Sequence, residues 1–232
     1  MKYEEDGVYK ALTQQDIAKL IDLGTHEEKK AIAEVLNLED SDKPSGEEIV
    51  EQLWWKFQTP LGYLVRTPTF NKICISVAKK FIKLESEESA PCFDVLNQAL
   101  KFLLNKMLRE MDAHQKKEFI TKILSKEEIK ETFGNINEIN WSKIATGTIL
   151  LAARNPLIIY STLTSQIALA LGGSAAIASG AVALSFLGPL GWFLLAWGMN
   201  DLLGTSWKQV VPATFYIYCI HERIKQEGKL PF

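Results

Sequence analysis

Apolar residues recur along much of this chain at spacings of three and four, the pattern of a helix with one buried face. The clearest stripe is Phe93, Leu96, Leu100, Leu103 and Met107, with Asp94, Gln98, Lys101, Asn105 and Arg109 outside it. Ile17, Leu20 and Ile21 predict a helix near the N-terminus, and Ala31, Ile32, Val35 and Leu36 predict the next. No stretch alternates apolar and polar residues long enough to predict a sheet. Ile73-Cys74-Ile75-Ser76-Val77 has β-branched character, but Ala78-Lys79-Lys80-Phe81-Ile82 restores helical spacing, so the whole is read as helix.

Helix starts are marked by a reciprocal capping pattern, in which a hydroxyl receives a backbone N–H and a Glu or Gln three residues on reaches back. Thr25 with Glu28, Ser45 with Glu48, Ser125 with Glu128 and Ser206 with Gln209 all fit it. Thr67-Pro68 and Ser89-Ala90-Pro91 predict two further starts with Pro in the first turn, where a missing N–H costs nothing. Pro212, well inside the helix opened by Ser206, predicts a kink near Lys208–Val211. The acidic, Pro-containing stretch Glu39-Asp40-Ser41-Asp42-Lys43-Pro44-Ser45 reads as a link. It would divide a small N-terminal helical module, residues 1–38, from a main helical domain, residues 45–232. A second loop is expected over Gly134–Asn140.

Charge changes this picture in the C-terminal third. From Asn155 to Asn200 there are 46 residues without one Asp, Glu, Lys or Arg, about twice the ~20 that cross a bilayer once. Gly172-Gly173-Ser174 and Gly188-Pro189 divide the run into Pro156–Leu171, Ala175–Leu187 and Leu190–Leu203. The middle piece is slim, through Ala175, Ala176, Ala178, Ser179, Gly180, Ala181 and Ala183, and small residues let helix backbones approach closely. It is the piece expected to be central to the fold. Trp192, Phe193 and Trp197 form a bulky cluster suited to a membrane interface or a core. Ser161, Thr162, Thr164, Ser165 and Gln166 are too polar for lipid, so the first piece is expected to face protein. The predicted fold class is all-α: a multi-helix bundle with a C-terminal apolar helical hairpin, within 155–200, packed by amphipathic helices. Ala176, Gly180, Gly188, Pro189, Trp192 and Trp197 are the candidate membrane or partner contacts.

The remaining chemistry is sparse. Net charge is −2 and basic residues are interleaved with acidic ones, as in Lys79, Lys80, Lys83, Glu85 and Glu87, which predicts solvated faces and no nucleic-acid partner. Cys74, Cys92 and Cys219 are scattered and read as reduced, buried thiols. With an acidic N-terminus that has no apolar core, they point to a cytoplasmic location. His26, His114 and His221 sit amid charged neighbours and are expected at the surface, not on a metal. Gly172-Gly173 and Gly188-x-x-Gly191 lack the strand and Lys of a phosphate loop. No G-x-S-x-G elbow occurs. Glu110 with Asp112 reads as solvated, and Trp54, Phe57 and Leu61 as core. No cofactor and no small-molecule substrate are expected.

Two regions resemble a family of bacterial proteins, the YaaW type, related to the ubiquinol–cytochrome c chaperone domain. Ser185-Phe186-Leu187-Gly188-Pro189-Leu190-Gly191-Trp192, then Trp197, Asp201, Leu202 and Gly204, and finally Val210-Val211-Pro212-Ala213, is similar to its C-terminal pattern. Asp6, Leu12, Asp16 and Leu20, within Tyr3–Leu23, resemble the short module before that domain, and Leu96–Phe119 is a weaker match. Ser206-Trp207-Lys208 departs from the family's usual Pro-Ala-Tyr-Arg-like stretch. The resemblance implies an all-helical fold and membrane-proximal work without catalysis. The expectation is therefore a non-enzymatic helical protein at the cytoplasmic membrane face, chaperone-like or an assembly factor, with a membrane or membrane protein as partner. The alternative is a pore-forming or membrane-disrupting protein that inserts its apolar hairpin.

Overall fold

A computed structural model describes residues 4–5, 8–9, 12–38, 42–58, 68–84, 91–152, 156–170 and 206–231. The fold is all-α. Among the described residues there are ten α-helices: α1 (Gln14–Asp22), α2 (His26–Leu36), α3 (Gly46–Phe57), α4 (Phe70–Lys79), α5 (Cys92–Glu110), α6 (Ala113–Ile123), α7 (Lys126–Phe133), α8 (Thr146–Ala152), α9 (Pro156–Ala170) and α10 (Trp207–Gln226). A 3-10 turn, Trp141–Lys143, follows the expected loop, and a two-residue antiparallel ladder pairs Glu4–Glu5 with Val8–Tyr9. The apolar hairpin and its contact residues Ala176, Gly180, Gly188, Pro189, Trp192 and Trp197 lie outside the described residues.

Capping explains most of the helix starts. Thr25, Ser45 and Ser125 each accept the backbone N–H three residues on, while Glu28, Glu48 and Glu128 return the bond. Thr13 with Asp16 and Asp112 with Gln115 close two further boxes. Ser206 departs from the expectation: its hydroxyl donates to the Gln209 side chain at 2.9 Å and makes no bond to the backbone. Its ψ of 72° is far from the extended conformation of the other caps. The prolines also sit one step earlier than expected, because Thr69 caps α4 and leaves Pro68 outside it, and Pro91 is itself the residue before α5. A residue preceding proline disfavours the α conformation, so the helix starts after that point.

The stripe on α5 is buried as its spacing predicts, and Val95, Ala99, Leu104 and Leu108 widen it. The helix at the centre is α10. Its residues Val210 to His221 are buried without a break, which requires neighbours on every side. Those neighbours are α1, α2, α3, α4, α5 and α9. The helix runs unbroken through Pro212. The core is continuous across the expected link: Ile17, Ile32, Leu36, Ile49, Leu96 and Ile217 belong to one cluster.

Helices α1 and α3 approach each other closely at Gly46. The Gly46 N–H donates to Asp22 at 2.7 Å, and a Cβ on Gly46 would stand 2.2 Å from the Ala18 carbonyl oxygen. Only glycine fits there.

Candidate functional site

Polar side chains from different helices converge along the seam where α10 meets α9 and α5. Three cross-contacts join α9 to α10. Tyr160 stands edge-on to Tyr218 with ring centroids 5.9 Å apart, the Thr164 hydroxyl is 3.9 Å from the Cys219 sulfur, and the Ser165 hydroxyl is 3.1 Å from the Tyr216 hydroxyl. Thr164 and Ser165 of α9 thus face α10, as the sequence predicts for a protein-facing helix, whereas Ser161 and Thr162 bond back to the Ile158 carbonyl of their own helix. Thr164 also donates to the Tyr160 carbonyl at 2.8 Å, so its buried hydroxyl is satisfied. The Tyr160 hydroxyl donates to the Asn97 side chain on α5 at 3.1 Å.

Further along α10, His221 is buried at 3% exposure, against the expectation of a surface histidine. Its ring stacks on Phe93, and its Nδ1 lies 3.0 Å from a Glu222 carboxylate oxygen. His26 and His114 are exposed, as expected. Arg223 forks onto both oxygens of Glu28 on α2, at 2.9 and 2.7 Å, and donates to the Leu23 carbonyl at 3.1 Å. These contacts fix the C-terminal half of α10 against α2, α5 and α9.

Burial sets the protonation of this seam. It pushes the phenols of Tyr160 and Tyr216 up to about 12, and it raises Tyr218 further, with Glu222 adding to the effect. Burial likewise pushes the Cys219 thiol up to about 12, against a partial opposing bond from Thr164. A thiol held protonated is a poor nucleophile. At Glu222, burial favours the neutral form, yet the bond from His221 and the charge of Lys225 outweigh it and hold the carboxyl below its ordinary range. The seam is chemically a set of paired, fixed groups.

Cys74 and Cys92, distant in sequence, are brought together between α4 and α5, where burial and the neighbouring Cys92 thiol raise Cys74 well above its ordinary value. All three cysteines are free and buried, as their scatter predicts. Among the described residues no group of three His, Cys, Asp or Glu side chains could hold a metal. Asp112 turns out to cap α6, which accounts for its place beside Glu110. Trp54 is buried and donates from Nε1 to the Pro68 carbonyl at 2.7 Å, and Phe57 packs against the core, while Leu61 lies outside the described residues.

The start of α10 is tied down as well. The Ser206 N–H donates to the Lys56 carbonyl at 2.8 Å, Trp207 meets Phe57 edge-on at 5.9 Å, and the Lys80 ammonium sits 4.3 Å above the Trp207 ring. No helix among the described residues is long and apolar enough to cross a membrane. No family model, no curated protein and no solved structure matches this chain.

Proposed function

We propose that this chain is a non-enzymatic helical protein that acts at the cytoplasmic face of a membrane, as a chaperone-like or assembly factor. The part of residues 155–200 that follows α9 is the surface it offers to the bilayer or to an apolar client. The observation that carries this reading is the 46-residue run without a charge, which begins with α9 and leads on toward α10. Both flanks are anchored, α9 by its hydroxyl contacts to α10 and α10 by its burial among six helices. A rigid base of this kind can present an apolar segment without unfolding. The resemblance of Ser185–Ala213 to YaaW-type proteins supports the same reading.

Cell fractionation tests it. The protein should sediment with membranes and be released by alkaline carbonate, as a peripherally bound protein is. Recovery in the soluble fraction alone would count against it. The pore-forming alternative rests on the same apolar run within a jacket of amphipathic helices. It separates from the proposal by dye release: mild acidification should leave dye-loaded vesicles intact if the chain is an assembly factor and empty them if it forms pores.

A further inference from the structure

Helices α1 and α3 touch at Gly46 and Ala18 and diverge from there toward Gln14 and Trp54. The divergence opens a groove of about 360 Å³, lined by Gln14, Gln15, Ala18, Glu47, Glu51 and Trp54, with Val50 in the floor. That volume lies at the small end of ligand pockets, enough for one long side chain and part of its neighbour. The floor is apolar and fixed, since Trp54 is held by its bond to Pro68 and stacked on Phe70 at 6.0 Å. The wall on α3 carries Glu47 and Glu51, one turn apart and both exposed. Glu48, beside them, is committed to the Ser45 cap. Among the described residues neither Glu47 nor Glu51 has an ion-pair or hydrogen-bond partner. Lys19 and Lys56, the basic residues of α1 and α3, do not line the groove. Two like charges at i, i+4 repel.

We propose that this groove docks a partner protein through an arginine side chain next to an aliphatic residue. The guanidinium would bridge Glu47 and Glu51, a planar fork being suited to carboxylates. Its methylene stem would lie on Ala18 and Val50, and the exposed amides of Gln14 and Gln15 would face the peptide backbone. The surface is independent of residues 155–200, so it stands or falls apart from the membrane reading.

The test is a titration of the full-length 15N-labelled chain with N-acetyl-leucyl-arginine amide, followed by NMR at constant ionic strength. Shifts should concentrate on Gln14, Gln15, Glu51 and the Trp54 indole N–H, and the citrulline analogue, equal in shape but uncharged, should lose most of them. Glu47→Gln and Glu51→Gln should each weaken apparent affinity on the order of two- to fivefold, the range for an exposed ion pair. Ala18→Leu should abolish the shifts by filling the floor. If that variant unfolds, the two exposed glutamate variants still decide. Shifts that are absent at millimolar peptide, scattered over the surface, equal for citrulline, or indifferent to both Gln variants would overturn the proposal.

Discussion

The imidazole of His221 lies flat on the ring of Phe93, with centroids 3.7 Å apart and planes 10° apart. Phe93 also meets Phe70 at 5.9 Å and Tyr218 at 6.4 Å, so one ring joins α4, α5 and α10. Phe93→Ala should lower unfolding free energy by about 3–5 kcal/mol, the range for removing a buried aromatic ring. Phe93→Leu should keep most of the stability. Urea denaturation of both variants checks this, and equal losses would mean that ring stacking, not apolar bulk, carries the contact.

Gly46→Ala should force α1 and α3 apart, since its Cβ would meet the Ala18 carbonyl at 2.2 Å. The expected loss is about 1–3 kcal/mol, the usual range for overpacking. Gly147→Ala is the control, because a Cβ there meets nothing within 4 Å. A thermal melt should separate the two variants clearly.

Helix caps give a contrast at two matching sequence patterns. Ser45→Ala should cost about 1 kcal/mol, because the hydroxyl caps the Glu48 N–H. Ser206→Ala should cost much less, because that hydroxyl bonds only the Gln209 side chain. Equal losses in chemical denaturation would contradict the assigned geometry.

That contrast also marks how far the sequence is legible. Local signals read well: three of the four proposed caps form, the α5 stripe is buried, and Thr164 and Ser165 of α9 face protein. Long-range placement reads poorly. Helix α10 carries His221-Glu222-Arg223 near one end and Pro212 near the other, so nothing in its pattern announces a helix buried on every side. Residues adjacent in a helix point about 100° apart, and charged neighbours therefore say little about the burial of His221 itself. The pairing of Arg223 with Glu28 spans 195 positions and has no local signature.

Stability should fall at both extremes of pH for opposite reasons. Tyr160, Tyr216 and Cys219 have folded-state values raised to about 12, so their contribution is complete below their unfolded values, near 9 for the thiol and 10 for the phenols. It is lost as pH rises from there toward 12. Glu222 is depressed, so its contribution is present above the ordinary carboxylate range and lost as pH falls through its lower folded value. Urea midpoints from pH 3 to 11 should show both declines, with tyrosinate absorbance rising together with alkaline unfolding. Glu222→Gln should make the acid limb less steep and also reduce the alkaline decline, since its charge adds to the upward push on Tyr160, Tyr218 and Cys219.

Arg223 fixes α10 to α2 through a partly buried fork. Arg223→Ala should cost about 1 kcal/mol, and Arg223→Lys should restore little, since an ammonium cannot bond both Glu28 oxygens in plane. Full rescue by Lys would show that charge alone matters there.

The central claim is that the part of the charge-free run 155–200 that follows α9 is the working surface of a membrane-face protein. Flotation of the purified chain with phosphatidylglycerol-containing vesicles tests it directly, comparing the parent with Ala178→Asp and Lys101→Asp. A charge in an inserted apolar segment costs at least ~2.5 kcal/mol at mid-bilayer, whereas Lys101 is exposed on α5. The account predicts that the parent and Lys101→Asp float with the vesicles and that Ala178→Asp does not. A parent chain that stays at the bottom of the gradient at saturating lipid, or an Ala178→Asp variant that floats as well as the parent, would contradict it.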